Sequence, residues 1–83
     1  MMFITSPKEI GKIVKNNRKS QELTQRQLAQ LCNVGTRFIS DLERGKLTCQ
    51  IDKTIIILLA LGIKINMSSP IYKEFALETG FEE

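Results

Sequence analysis

Between Leu23 and Lys46 the chain reads LTQRQLAQLCNVGTRFISDLERGK, and this stretch limits the possible folds more than any other. Leu28, Ala29 and Cys32 make one apolar helical face, and Phe38, Ile39 and Leu42 make a second. Thr24 with Gln27 three residues on has the form of a capping box, which starts the first helix. Asn33 stands where that helix must stop, and Asn tolerates the left-handed conformation such a stop needs. Val34 plugs the turn, Ala29 is small where two helices approach, and Gly45 ends the second helix. The segment therefore predicts two short helices joined by a tight turn, the second running from about Thr36 to Arg44. On a helical projection Thr36, Ser40, Arg44, Arg37 and Asp41 share one face, in that angular order, opposite the apolar one.

Elements on both sides complete a small domain. Ser6-Pro7-Lys8-Glu9 predicts a helix start, with Ser6 capping, Pro7 at the first helical position and Glu9 completing a capping box. The helix runs from about Pro7 to Lys19, with Ile10, Ile13, Val14 and Asn17 inward and Lys8, Lys12, Lys15 and Lys19 outward. Phe3 and Ile4 belong to a short lead-in, and Leu23 returns the chain to the core after a linker. Thr48 to Asp52 opens a fourth helix that stops at Gly62, with Ile51, Ile55, Leu58 and Leu61 (and Thr54) as its expected buried stripe. Ile56, Ile57 and Leu59 are apolar too, and a domain this small cannot cover one helix on every side. The extra face implies a partner, most simply a second copy, the alternative being a few tolerated surface hydrophobes.

Ile63-Lys64-Ile65-Asn66-Met67 alternates as a strand does. No second strand is evident, so this one is expected to pair antiparallel with its symmetry mate, leaving residues 68–83 as a tail, helical or disordered. The tail starts like a helix at Ser69-Pro70 and holds Ile71, Tyr72, Phe75 and Phe81. The expected organisation is one dimerising domain over residues 1–67 with Ile56, Leu59, Ile63, Ile65 and Met67 in the interface.

Charge and composition narrow the function. The chain has a formal net charge of +3 over 83 residues. Eleven of its twelve basic side chains, but only five of nine acidic ones, precede Pro70. A basic body suits a polyanionic partner, and an acidic end does not sit against phosphates. There is no histidine and no CxxC, so Cys32 and Cys49 do not suggest a zinc site, and Cys32 reads as a buried thiol. No cofactor-binding loop and no nucleophile–base pair is present, which argues against an enzyme. The opening MMFITSPKEI lacks the basic end and long apolar core expected of a signal peptide, and the longest apolar run, Ile55 to Leu61, is too short for a membrane span. A reducing, cytoplasmic setting is expected.

The helix pair has the form of a helix-turn-helix. In that arrangement the first helix anchors to backbone phosphate and the start of the second enters the major groove of DNA. Thr36, Arg37 and Ser40 lie on the right face and end to read bases, Arg37 as a bidentate partner for guanine. Asp41 can accept from cytosine, hold Arg37 at i, i+4, or be solvated. The phosphate-binding set is Thr24, Gln25, Gly35, Arg44 and Lys46.

Leu23-Thr24-Gln25, Leu28-Ala29, Val34, Ile39-Ser40 and Glu43-Arg44-Gly45-Lys46 closely resemble the pattern of the Cro/C1-type (XRE-type) helix-turn-helix family. The resemblance extends from the first helix to Gly62 and implies an all-α, four- to five-helix lambda-repressor-like domain. It also implies that Arg18 pairs with Glu43 as a structural ion pair. Within the family, RFISDLERGK followed by a helix, LALG and a short strand looks like the HipB-type antitoxins. That resemblance implies a homodimeric autorepressor on inverted-repeat operator DNA, a C-terminal strand paired across the dimer, and a HipA-like serine/threonine kinase toxin as partner. A stand-alone phage-type repressor and a mainly toxin-binding protein are the alternatives. Three departures stand out: Gly35 replaces the usual Ser or polar residue, Asn33 replaces a common Gly, and Ile56 and Leu59 replace charged residues.

Overall fold

The computed structural model describes residues 4–46, 50–69 and 74–76. Among these residues four helices, α1 (Pro7–Ser20), α2 (Gln25–Cys32), α3 (Thr36–Glu43) and α4 (Ile51–Ala60), precede two short strands, β1 (Asn66–Ser68) and β2 (Glu74–Ala76). Expectations for Phe3, Thr48, Cys49, Pro70, Ile71, Tyr72 and Phe81 fall outside the described residues. Among those described, no helix is long and apolar enough to cross a membrane.

The core is one cluster drawn from all four helices: Val14, Leu28, Ala29, Cys32, Ile39, Leu42, Ile57 and Leu61. Removing such side chains from water is the main favourable term, about 1.5–3 kcal/mol for each large one. α1 and the end of α3 approach closely at Gly11. A Cβ on Gly11 would lie 2.5 Å from the Leu42 carbonyl oxygen and 2.6 Å from that of Glu43. Only a residue without a side chain lets the last turn of α3 rest on α1 at that depth.

All four helices end in the same way. A residue in the left-handed region, Glu22, Asn33, Gly45 or Gly62, reverses the chain. The N–H of the next residue then donates back to a carbonyl in the last turn: Leu23 to Arg18, Val34 to Ala29, Lys46 to Asp41, and Ile63 to Leu58, at 3.0–3.1 Å. This satisfies carbonyls that have no partner within the helix, and it normally brings an apolar residue back onto the helix. Leu23, Val34 and Ile63 follow that rule and pack against the core. Lys46, after α3, does not.

The structure corrects the sequence reading at several points. In α4 the fully buried residue is Ile57, expected on the outer face, whereas Ile51, expected inside, is 75% exposed. The buried set is Thr54, Ile57 and Leu61, because Ile51 opens the helix ahead of the core and the stripe is rotated accordingly. Ile56 and Leu59 do remain exposed. At the start of α1, Ser6 occupies the cap position without a side-chain bond. Glu9 instead accepts from the N–H and hydroxyl of Thr5, at 2.6 and 3.1 Å, one residue earlier than a capping box requires. The predicted strand Ile63–Met67 forms only over Asn66–Ser68, since Ile63 is held by the stop of α4.

The most consequential correction concerns strand pairing. A second strand does exist in the chain: β1 pairs antiparallel with β2, with Asn66 opposite Ala76, Met67 opposite Phe75 and Ser68 opposite Glu74. Among the described residues β1 thus has a neighbour in its own chain, and residues 68 and 74–76 of the expected helical or disordered tail are strand. Three residues such as EFA carry too little periodicity to announce a strand.

Candidate nucleic-acid interface

The capping box of α2 is complete. The Thr24 hydroxyl accepts from the Gln27 N–H at 3.0 Å, and the Gln27 side-chain carbonyl accepts from the Thr24 N–H at 2.8 Å. Asn33 takes φ 56°, ψ 47°, and only Val34 and Gly35 separate it from α3. Gly35 caps α3 in an ordinary extended conformation, and a Cβ there would meet nothing within 4 Å. The backbone thus does not demand glycine; what Gly35 removes is a side chain from an open position.

Behind α3 lies a charged lock. Glu43, at the last turn, accepts from Arg18 Nε at 2.6 Å and from Arg18 Nη2 at 3.1 Å, a bidentate pair. The side chains are only 9% and 4% exposed. Arg18 Nη1 donates to the Leu23 carbonyl at 2.7 Å, so one guanidinium ties α1 to α3 and to the start of the turn before α2. Burial pushes the Glu43 carboxyl up, but hydrogen bonds from Arg18 and Gln25 outweigh it and hold the group below its ordinary value. In a region this dry, an ion pair fixes geometry because either partner alone would be an unmatched charge.

The opposite side of α3 is open. Thr36 is exposed and Ser40 half-buried, and the Arg37 side chain is 88% exposed with its Nε 4.0 Å from Asp41. Asp41 is more enclosed, at 15%, and accepts from Arg44 Nη2 at 2.7 Å and Lys46 Nζ at 3.4 Å. Burial raises its pKa, and the Lys46 and Arg44 contacts more than reverse this, leaving the carboxyl below its usual value. Of the phosphate-contact candidates, Thr24, Gly35, Arg44 and Lys46 are exposed. Gln25 is half-buried and gives one amide N–H to Glu43 at 3.0 Å. The structure therefore gathers Thr36, Arg37, Ser40, Asp41, Arg44 and Lys46 along one helix and its exit. It draws Gln25 partly into the lock behind that helix.

Several contributors escaped the sequence reading. Gly11 sets the depth of α3 on α1, and a glycine alone within an apolar helical pattern is the signal that could have revealed it. Gln21 donates to the Leu61 carbonyl at 2.8 Å and joins the ends of α1 and α4. Lys53 lies 5.8 Å from the centre of the Phe38 ring, linking α4 to α3. Neither contact has a local sequence signature.

A helix pair packed into the core and joined by a three-residue turn, with a polar, open face on the second helix, defines a helix-turn-helix domain. The family model described as helix-turn-helix domain matches residues 8–69, and the chain belongs to that family. It is 46% identical over 67 residues to the uncharacterized HTH-type transcriptional regulator y4mF of Sinorhizobium fredii (strain NBRC 101917 / NGR234). That match spans 81% of this chain and 88% of the relative, and it places the chain among helix-turn-helix transcriptional regulators. Among solved structures, a chain of a HipA-HipB-O2-O3 complex superposes with a TM-score of 0.75 at 21% identity, over 84% of this chain and 99% of its own length. A chain of a HipB-O4 20mer complex gives the same values. The clp gene regulator ClgR of Corynebacterium glutamicum matches with a TM-score of 0.62 at 26% identity, over 69% of this chain and 61% of its own. The fold is thus HipB-like.

Proposed function

We propose that this regulator is a sequence-specific autorepressor that binds inverted-repeat operator DNA as a homodimer and serves as the antitoxin of a HipA-like serine/threonine kinase toxin. The observation that carries the DNA-binding part is the row Thr36, Arg37 and Ser40 on α3, backed by buried Ile39 and by the Arg18–Glu43 pair. Base reading needs donors and acceptors held in one register, and a helix locked from behind supplies it. Arg37 takes guanine, while Thr36 and Ser40 adapt to their neighbours. Thr24, Gln25, the backbone at Gly35, Arg44 and Lys46 engage phosphates on either side.

Ile56 and Leu59 on α4, with Ile65 and Met67 beyond it, form the surface for the second copy. Ile63 contributes less, since it packs on its own core. The HipB-like fold supports the antitoxin assignment, and the neighbouring gene product is the partner to test.

A tagged chain is co-purified with the product of the adjoining gene, and the complex is footprinted on their shared promoter. The expected result is a bound kinase-like protein and two protected half-sites about 34–36 Å apart, or a multiple of that spacing. No protected repeat removes the repressor assignment. A protected repeat without the kinase leaves a stand-alone repressor and removes the antitoxin assignment.

A further inference from the structure

Lys46 breaks the pattern of the four helix stops. After α1, α2 and α4 the returning residue is apolar and enters the core. After α3 the same geometry returns a lysine: its N–H reaches the Asp41 carbonyl at 3.1 Å and its ammonium reaches the Asp41 carboxylate at 3.4 Å. Arg44 holds the other carboxylate oxygen at 2.7 Å, and Arg37 stands 4.0 Å away. A carboxylate is thus placed among three cations on the helix that faces DNA, where a negative charge opposes binding to phosphate.

We propose that Asp41 is a positioning and specificity residue, which gathers Arg44 and Lys46, with Arg37 at its margin, into one fixed cationic array and restrains their binding to DNA of arbitrary sequence. The proposal deepens the DNA-binding reading and rests on it. An untethered Arg or Lys reaches whatever phosphate is near, and such contacts carry no sequence information. Cations held by one carboxylate meet phosphates only when α3 is seated in the register that aligns them. The carboxylate also repels every backbone it approaches, so the operator alone, with its base contacts, offsets that repulsion.

Asp41→Asn keeps the size of the side chain and removes the charge. Binding is measured against salt on a pool of random-sequence 20-base-pair duplexes, and on a 20-base-pair duplex selected from that pool by the wild-type chain. We expect Asp41→Asn to tighten binding to the random pool about three- to tenfold near physiological salt and to steepen its salt dependence. Binding to the selected duplex changes less, so discrimination falls. Asp41→Glu restores part of the discrimination.

Three outcomes overturn this role: unchanged affinity for the random pool, a changed preference at a single base pair with the salt slope intact, or equal weakening on both probes with a lowered melting temperature. The second would make Asp41 a base reader and the third a structural residue. If the wild-type chain selects no duplex and binds the pool no better than a scrambled-surface control with Arg37, Arg44 and Lys46 replaced by Ala, the DNA-binding reading itself fails.

Discussion

Replacing Arg18 by Met removes a cation from the lock behind α3 while leaving most of its aliphatic volume. In the wild type this side chain makes two hydrogen bonds to Glu43 and one to the Leu23 carbonyl. Its loss leaves Glu43, whose side chain is 4% exposed, with the Gln25 amide as its remaining hydrogen-bond donor. Breaking a buried pair from one side costs about 3–5 kcal/mol. The retained Gln25 contact puts Arg18→Met near the lower end, about 3 kcal/mol. For a domain of this size that is a large part of total stability, and a fall in Tm of roughly 4–8 °C accompanies each kcal/mol.

The same variant has a pH signature. In the wild type the Glu43 carboxyl is held below its ordinary value. Its contribution is therefore present above the unfolded pKa and is lost as pH falls through the folded one. Without Arg18, burial dominates and lifts the carboxyl above its unfolded value. The deprotonated group then destabilises the fold, and acid relieves it. The gap in stability between wild type and variant should accordingly narrow as pH is lowered from about 7 toward 4, read by urea unfolding followed by circular dichroism. Adding Glu43→Leu should recover much of the loss at neutral pH, since an apolar pair can replace a buried ionic one. A loss below about 1 kcal/mol, or a gap that widens on acidification, would refute the reasoning.

Other substitutions probe other parts. Arg37→Ala should cost about 1–3 kcal/mol at one base pair and relax preference there; an equal loss on random duplexes would reduce Arg37 to a phosphate contact. Gly11→Ala should destabilise by about 1–3 kcal/mol, because the new methyl meets the backbone of α3 rather than a movable side chain. An unchanged Tm would mean that α3 can ride up without loss. Replacing exposed Ile56 and Leu59 by Lys should shift the chain to monomers in sedimentation and leave its Tm, extrapolated to low concentration, nearly unchanged. A variant that stays a dimer would place the interface elsewhere.

Local chemistry by itself determined most of the helix-turn-helix. Thr24 with Gln27, Asn33 before Val34, and Gly45 after Glu43 each set one boundary through an interaction that spans only a few residues. The inward faces of α2 and α3 follow from spacing in the same way, and Arg37 stands out on the face opposite Ile39 and Leu42. None of that needs knowledge of the rest of the chain.

The tertiary structure decided what depends on neighbours distant in sequence. Apolar residues nearly surround α4, so its period names no single face; contact with the other helices selects Ile57 and leaves Ile51 in water. β1 and β2 are three residues each and exist through mutual pairing, which neither segment can declare alone. Gln25 turns toward Glu43, and Asp41 becomes the meeting point of Arg44 and Lys46, because helix packing and a shared helix stop bring those groups together. The sequence supplied the parts of a binding face; the fold determined which of its charges point outward and which are held by one another.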